Sequence, residues 1–155
     1  MPRLRTFECS EAMLEQALEV IPLASQTFSK SITALPRGAS PFFVDRAQGC
    51  RFWDVDGNHY VDIAGALASV TLGYCHPKVD EAVRKQLENG VTFSLPHPLE
   101  TKVASLIVEM VPCAEMVRFG KNGTDATTGA IRLARHVTGR DHVALCGYHG
   151  WQDWS

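Results

Sequence analysis

Three stretches of the chain place apolar residues three and four positions apart, which is the spacing of an amphipathic helix. The first begins at Ser10, a residue type that caps helix N-termini, and runs to about Ile21, where Pro22 stops it. One face of this predicted helix is apolar along its length. It consists of Met13, Leu14, Ala17, Leu18 and Ile21.

The second and third helical stretches are bounded by stronger local signals. Proline favours the first position of a helix and Asn-Gly favours its end, so the second helix is predicted from Pro77 to Asn89-Gly90. The third begins near Pro98 and ends before Pro112. The apolar positions are Val79, Ala82, Val83 and Leu87 in the second helix, where we expect a buried face, and Val103, Leu106, Ile107 and Met110 in the third.

A strand pattern lies between the first two helices, after an irregular arm rich in Ser, Thr, Gly and Pro at residues 23–40. Runs of β-favouring residues are separated by turn signals at Gln48-Gly49 and Asp56-Gly57. Asp-Gly between two such runs is typical of a hairpin, so we predict a small antiparallel meander. The predicted runs are residues 42–44, 51–54 and 60–63. The small apolar residues 64–74 that follow predict a tightly packed loop.

The last third of the chain changes to a strand–helix–strand pattern. We predict strands at residues 116–119 and 142–146, with a helix at 125–137 between them. A crossover of this length joins parallel strands, so the pattern indicates a βαβ unit and an α/β fold.

Composition and charge exclude several kinds of partner. The chain has 155 residues, 45% hydrophobic and 21% charged, and a formal net charge of −2, which favours neither nucleic acid nor an anionic membrane. No apolar run reaches the length of a membrane span, and no signal core follows the N-terminus. The five cysteines lack Cys-x-x-Cys spacing and predict incidental or buried thiols, with neither disulfides nor a metal site. We therefore expect a cytoplasmic protein.

The segment from Gly120 to Ala126 is the first candidate for chemistry. A strand enters it and a helix leaves it, an arrangement that directs unpaired amides and the positive helix end at one point and suits a phosphate. Gly123 would let the backbone approach closely, and the Thr124 hydroxyl could donate to a phosphate oxygen. The same residues are also typical of ordinary capping, with Thr124 as the cap and Asp125 in the first turn. Spacing alone favours capping.

The second candidate is Tyr148-His149-Gly150, at the carboxyl end of the next predicted strand. Ligands of open α/β sheets gather at such ends. An aromatic side chain there could stack on a planar ring whose phosphate lies at the Thr124 helix. Simple packing of a tyrosine and a histidine at a strand end is the alternative.

Several collinear motifs together resemble class III aminotransferases, and among them the glutamate-1-semialdehyde aminomutase branch. They extend over nearly the whole chain. The motifs are Asp54-Val55-Asp56-Gly57-Asn58, Tyr60-Val61-Asp62, Leu72-Gly73-Tyr74-Cys75-His76-Pro77, Asn122-Gly123-Thr124, Ala130-Ile131-Arg132-Leu133-Ala134-Arg135, Thr138-Gly139-Arg140 and Tyr148-His149-Gly150.

The resemblance implies a fold type I enzyme that depends on pyridoxal 5'-phosphate (PLP). Residues 1–75 would form the arm, helix and meander of a small domain, and residues 76–155 the first, incomplete part of the large parallel-sheet domain. Loop 64–74 would face the substrate. The complete enzyme would be a homodimer that takes a small-molecule amino donor and acceptor. The implied cofactor-binding residues are Gly123 and Thr124 at the phosphate, Asn122 before them, Tyr148 stacked on the ring, and His149 near it.

Three departures from the family pattern bear on function. Asn122 and Asp125 stand where the family often has Ser and Glu, and Gly65-Ala66-Leu67-Ala68 replaces the Gly-Ser-Trp-Gly of the aminomutase branch. The third departure is the Schiff-base lysine, which the resemblance places downstream of Gly150. None of the five lysines matches it, so we expect the 155-residue chain alone to be inactive. These lysines are Lys30, Lys78, Lys85, Lys102 and Lys121.

The leading interpretation is therefore part of a PLP-dependent aminotransferase, which transfers an amino group through a cofactor imine. Glutamate-1-semialdehyde 2,1-aminomutase is the alternative within the family. A non-catalytic, degenerate domain that binds a phosphorylated small molecule or a partner is the alternative outside it. A reading frame that continues to a lysine-bearing loop would favour the enzyme, and a stop codon the degenerate domain.

Overall fold

A computed structural model describes residues 5–147. The chain divides into two compact units, Met1–Val91 and Thr92–Ser155. The first contains α1 (Glu8–Val20), two short 3-10 turns (Pro22–Ala24 and Phe28–Lys30), β1 (Val44–Gln48), β2 (Arg51–Asp54), β3 (His59–Val61), the single turn α2 (Gly65–Ala68) and α3 (Pro77–Glu88). The second contains α4 (Pro98–Met110) and α5 (Gly123–Thr138). The boundary between the two units, after Val91, thus lies later in the chain than the domain boundary expected after residue 75. The assignment of residues to a small and a large domain stays a prediction.

The N-terminus of α1 is capped by a distant residue. The carboxylate of Asp56, in the turn after β2, accepts the backbone N–H groups of Cys9 at 2.7 Å and Ser10 at 2.9 Å. Ser10 lies inside the helix, fully buried, and its hydroxyl accepts the backbone N–H of Phe42 at 3.0 Å. The expectation that Ser10 caps the helix is therefore wrong, because Asp56 already binds the amides that a cap would satisfy.

The predicted antiparallel meander is present, but its first strand is Val44–Gln48 and not residues 42–44. Strands β1, β2 and β3 pair in sequence order, and both pairings are antiparallel. The β2–β3 turn forms around Asp54, which is 1% exposed and accepts the backbone N–H of Asn58 at 2.7 Å and the hydroxyl of Tyr60 at 2.9 Å. Because these donors satisfy a buried charge, Asp54 fixes the turn that presents Asp56 to α1.

Helices α3 and α4 begin where proline predicts. At α4, the side chain of His97 accepts the backbone N–H of Leu99 at 3.2 Å, and that of Glu100 accepts the backbone N–H of His97 at 3.1 Å. The apolar face of α3 is not buried, however, since Val83 is 52% exposed and Leu87 is 58% exposed. Among residues 5–147, Leu14 is the one fully buried apolar side chain. Amphipathic spacing predicts which residues share the apolar face, but it does not show whether another surface covers that face.

The predicted pair of parallel strands is the second expectation that the described residues do not bear out. Residues 116–119 and 142–146 flank α5 as expected, yet neither segment forms a strand in the described part of the chain. A strand exists only through backbone hydrogen bonds to a neighbour, and parallel pairing is usually found inside larger sheets covered on both faces. Within the described residues these two segments have no such neighbour.

No helix in the described range is both long enough and apolar enough to span a membrane.

Candidate phosphate site and loop 64–74

The N-terminus of α5 lies where the sequence predicts an anion site. Its cap is Asn122, in extended conformation, and the helix begins at Gly123, two residues before the predicted start. The Asp125 carboxylate accepts the backbone N–H groups of Lys121 and Asn122, both at 2.9 Å. The alternative of Thr124 as cap is therefore wrong, because Thr124 already lies in the first turn.

The Asp125 carboxylate can approach this turn because residue 120 is a glycine. A Cβ at Gly120 would lie 2.8 Å from the Cβ of Asp125, whereas a Cβ at Gly123 would meet nothing within 4 Å. Gly120 therefore admits the capping carboxylate. Among the described residues nothing lies within 4 Å of that position at Gly123, which leaves room for a ligand.

Two amides at this helix end remain available. Asp125 binds the N–H groups that precede the helix, and no hydrogen bond within residues 5–147 engages the N–H groups of Gly123 and Thr124. The first amides of a helix have no intrahelical partner, and they carry the positive end of its dipole. With the Thr124 hydroxyl they form a set of three donors beside open space. This donor set fits the phosphate group of PLP.

The structure thus brings together Asn122, Gly123 and Thr124 from the predicted cofactor-binding set. Tyr148 and His149 lie outside the described residues, so their stacking and ring contacts stay predictions. Lys121, the lysine nearest to the site, is exposed.

Loop 64–74 contains an unusual backbone conformation. In α2, Gly65, Ala66 and Leu67 have φ values of 52°, 51° and 59°, and Ala68 has 65°, so the single turn is left-handed. Each non-glycine residue in this conformation costs about 1–2 kcal/mol because its Cβ crowds the carbonyl oxygen that follows. Such strain persists only where surrounding contacts stabilise it.

Asp62 supplies those contacts at the start of the turn. Its carboxylate accepts the backbone N–H groups of Gly65 at 3.0 Å and Ala66 at 3.2 Å. It also accepts the hydroxyl of Tyr74, from the far end of the loop, at 2.6 Å. The bond from Tyr74, supported by the loop amides, lowers the pKa of Asp62, and the same bond together with burial raises the pKa of Tyr74. Both directions match a charged carboxylate held by a neutral hydroxyl.

The far end of the loop is fixed to the meander. Tyr74 and Gly49 exchange backbone hydrogen bonds of 2.8 and 2.9 Å. Gly73 has φ 85°, and a Cβ there would lie 3.0 Å from the carbonyl oxygen of Gly49, so glycine is needed for both conformation and approach. Next to this crossing lies an open cleft of about 310 Å³. It is lined by Ser69, Val70, Thr71, Leu72, Gly73, Tyr74, Cys75, His76, Val79 and Asp80.

Sequence reasoning missed Asp62 and Tyr74. A polar residue inside the run Tyr60-Val61-Asp62-Ile63, three positions before a glycine, was the available signal for a turn that an aspartate caps. Tyr74 carried no local signal, because its partner lies 12 positions away.

The family model described as Aminotransferase class-III matches residues 34–153. Because the match covers well over half of the sequence, the chain belongs to the class III aminotransferase family, as its motifs predict.

Individual relatives are similar over nearly the whole chain. The 3-aminobutyryl-CoA aminotransferase of Cloacimonas acidaminovorans is 38% identical over 146 residues, covering 94% of this chain and 35% of the relative. The glutamate-1-semialdehyde 2,1-aminomutase of Citrifermentans bemidjiense is also 38% identical over 146 residues, covering 93% and 34%. The chain thus spans about a third of the length of these relatives.

Solved structures confirm the expected fold class. The FumI protein of Sphingopyxis sp. MTA144, solved with PLP, superposes with a TM-score of 0.84 and 36% identity, over 91% of this chain and 34% of that one. An omega-transaminase from Sphaerobacter thermophilus gives 0.84 and 30%, over 92% and 32%. Among the aminomutases, that of Pseudomonas aeruginosa PAO1 gives 0.76 and 27%, over 92% and 31%.

Proposed function

We propose that the protein containing this chain binds PLP and transfers amino groups between small molecules. The observation that carries the proposal is the N-terminus of α5. There no hydrogen bond among residues 5–147 engages the amides of Gly123 and Thr124, and the Asp125 carboxylate accepts the N–H groups of Lys121 and Asn122 instead. Family membership supports the same cofactor.

The chain's own contribution is to hold and orient the cofactor by its phosphate. Gly123 and Thr124 would donate backbone N–H groups, and the Thr124 hydroxyl would add a third donor. Hydrogen bonds to a charged acceptor are about twice as strong as those between neutral groups. When bound, PLP supplies the electron sink that amino-group chemistry requires.

The catalytic lysine is a separate part of the proposal. Amino-group transfer needs a positioned amine to move a proton between carbons, and we place that amine outside these 155 residues. The sequence positions of the five lysines support this assignment, since none of them matches the family's Schiff-base position.

Transfer to a second molecule is favoured over the aminomutase reaction. In the aminomutase branch the substrate loop has a serine and a tryptophan, and here Ala66 and Leu67 occupy those positions. Neither side chain can hydrogen-bond a polar substrate. Leu67 is 55% exposed on a constrained turn, so it presents an apolar contact to a ligand. A substrate with an apolar portion fits this turn better than a short semialdehyde.

The assay that separates the two reactions uses the complete PLP-loaded protein. An aminotransferase converts more than one equivalent of amine per bound cofactor only when a carbonyl acceptor is added, and it then forms the acceptor's amine in equal amount. An aminomutase converts glutamate-1-semialdehyde with no acceptor, because the amino group returns to the same carbon skeleton. We expect acceptor-dependent turnover; acceptor-independent isomerisation would instead support the aminomutase, and the absence of cofactor uptake would contradict both.

The proposal also includes a cytoplasmic homodimer. Free thiols such as Cys9, Cys50 and Cys113 support a reducing compartment, in which disulfides are rare. Exposed apolar side chains such as Leu87 and Met110 support an additional covering surface. Light scattering of the complete protein tests the dimer, and a monomer of full activity would contradict it.

A further inference from the structure

The left-handed turn α2 is held at both ends by side chains. Asp62 accepts the first two amides of the turn, and the hydroxyl of Ser69 donates to the carbonyl of Ala66 at 2.7 Å. Three backbone bonds close it, from Ala68 to Ala64 at 2.9 Å, from Ser69 to Gly65, and from Val70 to Gly65 at 3.0 Å. Of these contacts, those of Asp62 alone involve a charged group.

The position of Asp62 is itself set from a distance. Tyr74 donates its hydroxyl to the carboxylate oxygen that also accepts the Ala66 amide, and the backbone of Tyr74 is paired with Gly49 in the β1–β2 turn. The Asp62 carboxylate therefore connects the start of the loop to its end at Tyr74. The backbone of Tyr74 connects that end to the meander. If Asp62 is neutralised or removed, none of the remaining contacts among residues 5–147 that hold the turn involves a charged group to offset the strain at Ala66 and Leu67.

We infer that Asp62 is a positioning residue: with Tyr74 it holds Ala66 and Leu67 in the left-handed turn, and it thereby determines which substrates the loop accepts. The effect on substrates rests on the proposed function, in which loop 64–74 faces the substrate. The effect on the backbone does not. The two parts can therefore be tested separately in one set of variants.

The variants are Asp62→Asn, which keeps the shape but removes the charge, and Tyr74→Phe, which removes the hydroxyl and leaves the carboxylate. Tyr60→Phe is the matched control, because the Tyr60 hydroxyl makes the same kind of bond to Asp54 in the meander. All are made in the complete PLP-loaded protein. Amide hydrogen exchange reports on Gly65 and Ala66, and steady-state kinetics use amines of increasing apolar size.

We expect exchange at these two amides to be about tenfold faster or more in Asp62→Asn, with a smaller increase in Tyr74→Phe and none in the control. KM for the larger amines should rise about tenfold in Asp62→Asn, while kcat changes less than about twofold and PLP absorbance is unchanged. Unchanged exchange in both variants would overturn the positioning role. Faster exchange with unchanged KM would overturn the role in substrate choice. A wild-type protein without PLP uptake would overturn the proposed function, and the exchange data would still decide the positioning role.

Discussion

Asp56 accepts the backbone N–H of Ser10, 46 residues earlier in the chain, at 2.9 Å, so the turn between β2 and β3 caps helix α1. Capping residues of this kind stabilise proteins by about 1 kcal/mol. In Asp56→Ala we expect the free energy of unfolding of the complete protein to fall by about 1–2 kcal/mol, because both α1 amides lose their partner. Urea denaturation measures the change. Asp45→Ala, at an exposed position in β1, is the control and should differ from wild type by less than about 0.5 kcal/mol; equal losses in both variants would contradict the cap.

Ionisation of the Tyr60 hydroxyl makes the stability of the folded protein depend on pH in the alkaline range. Burial, together with the bond to the Asp54 carboxylate, raises the pKa of Tyr60 to about 12. An unfolded tyrosine ionises near pH 10, so the folded state binds its proton more tightly. Stability from this pair is therefore fully present below about pH 10 and is lost as pH rises towards 12. Ultraviolet titration of wild type and Tyr60→Phe isolates this residue, and a difference curve with a midpoint near 10 would contradict the assignment.

The isolated 155-residue chain should fold poorly. Leu14 is the one fully buried apolar side chain in the part of the chain that the structure describes, and large side chains on α3, α4 and α5 are about half exposed. A core this small offsets little of the conformational entropy lost on folding. We expect broad, non-cooperative urea unfolding and strong binding of a hydrophobic dye. A single cooperative transition in a monomer would contradict this prediction.

The parts of the structure that could be predicted from sequence are those set by neighbouring residues. Pro77 and Asn89-Gly90 mark the ends of α3, and Asp56-Gly57 marks the β2–β3 turn. The predictions that failed depend on distant residues. Ser10 is not a cap because Asp56 binds the helix amides, and residues 116–119 form no strand because no neighbour pairs with them in the described range. In the candidate sites, the predicted strand–helix junction identified Gly123 and Thr124. The contact between Asp62 and Tyr74 joins residues 12 positions apart, so no local sequence pattern indicates it.

Borohydride reduction of the 155-residue chain mixed with PLP tests the assignment of the lysine. We expect no single lysine to be labelled stoichiometrically, because none of the five matches the family's catalytic position. Transaminase turnover should not exceed that of free PLP, since a positioned base is worth about 10²–10⁴-fold in rate. Mass spectrometry of the peptides locates any label. One stoichiometric site with turnover above free PLP would contradict the assignment, and Lys121 would be the first residue to substitute.

The central claim is that the N-terminus of α5 binds the phosphate of PLP, and a cofactor titration of Thr124→Ala tests it most directly. Removing one hydrogen bond to a charged group costs about 1.5–3 kcal/mol, so the Kd for PLP in the complete protein should rise about tenfold to a hundredfold. Thr138→Ala is the matched control, since its hydroxyl donates to the Ala134 carbonyl at the opposite end of the same helix, at 2.7 Å. The account predicts weakened binding in Thr124→Ala and wild-type affinity in Thr138→Ala. Equal affinity in Thr124→Ala and wild type, or equal weakening in both variants, would contradict it.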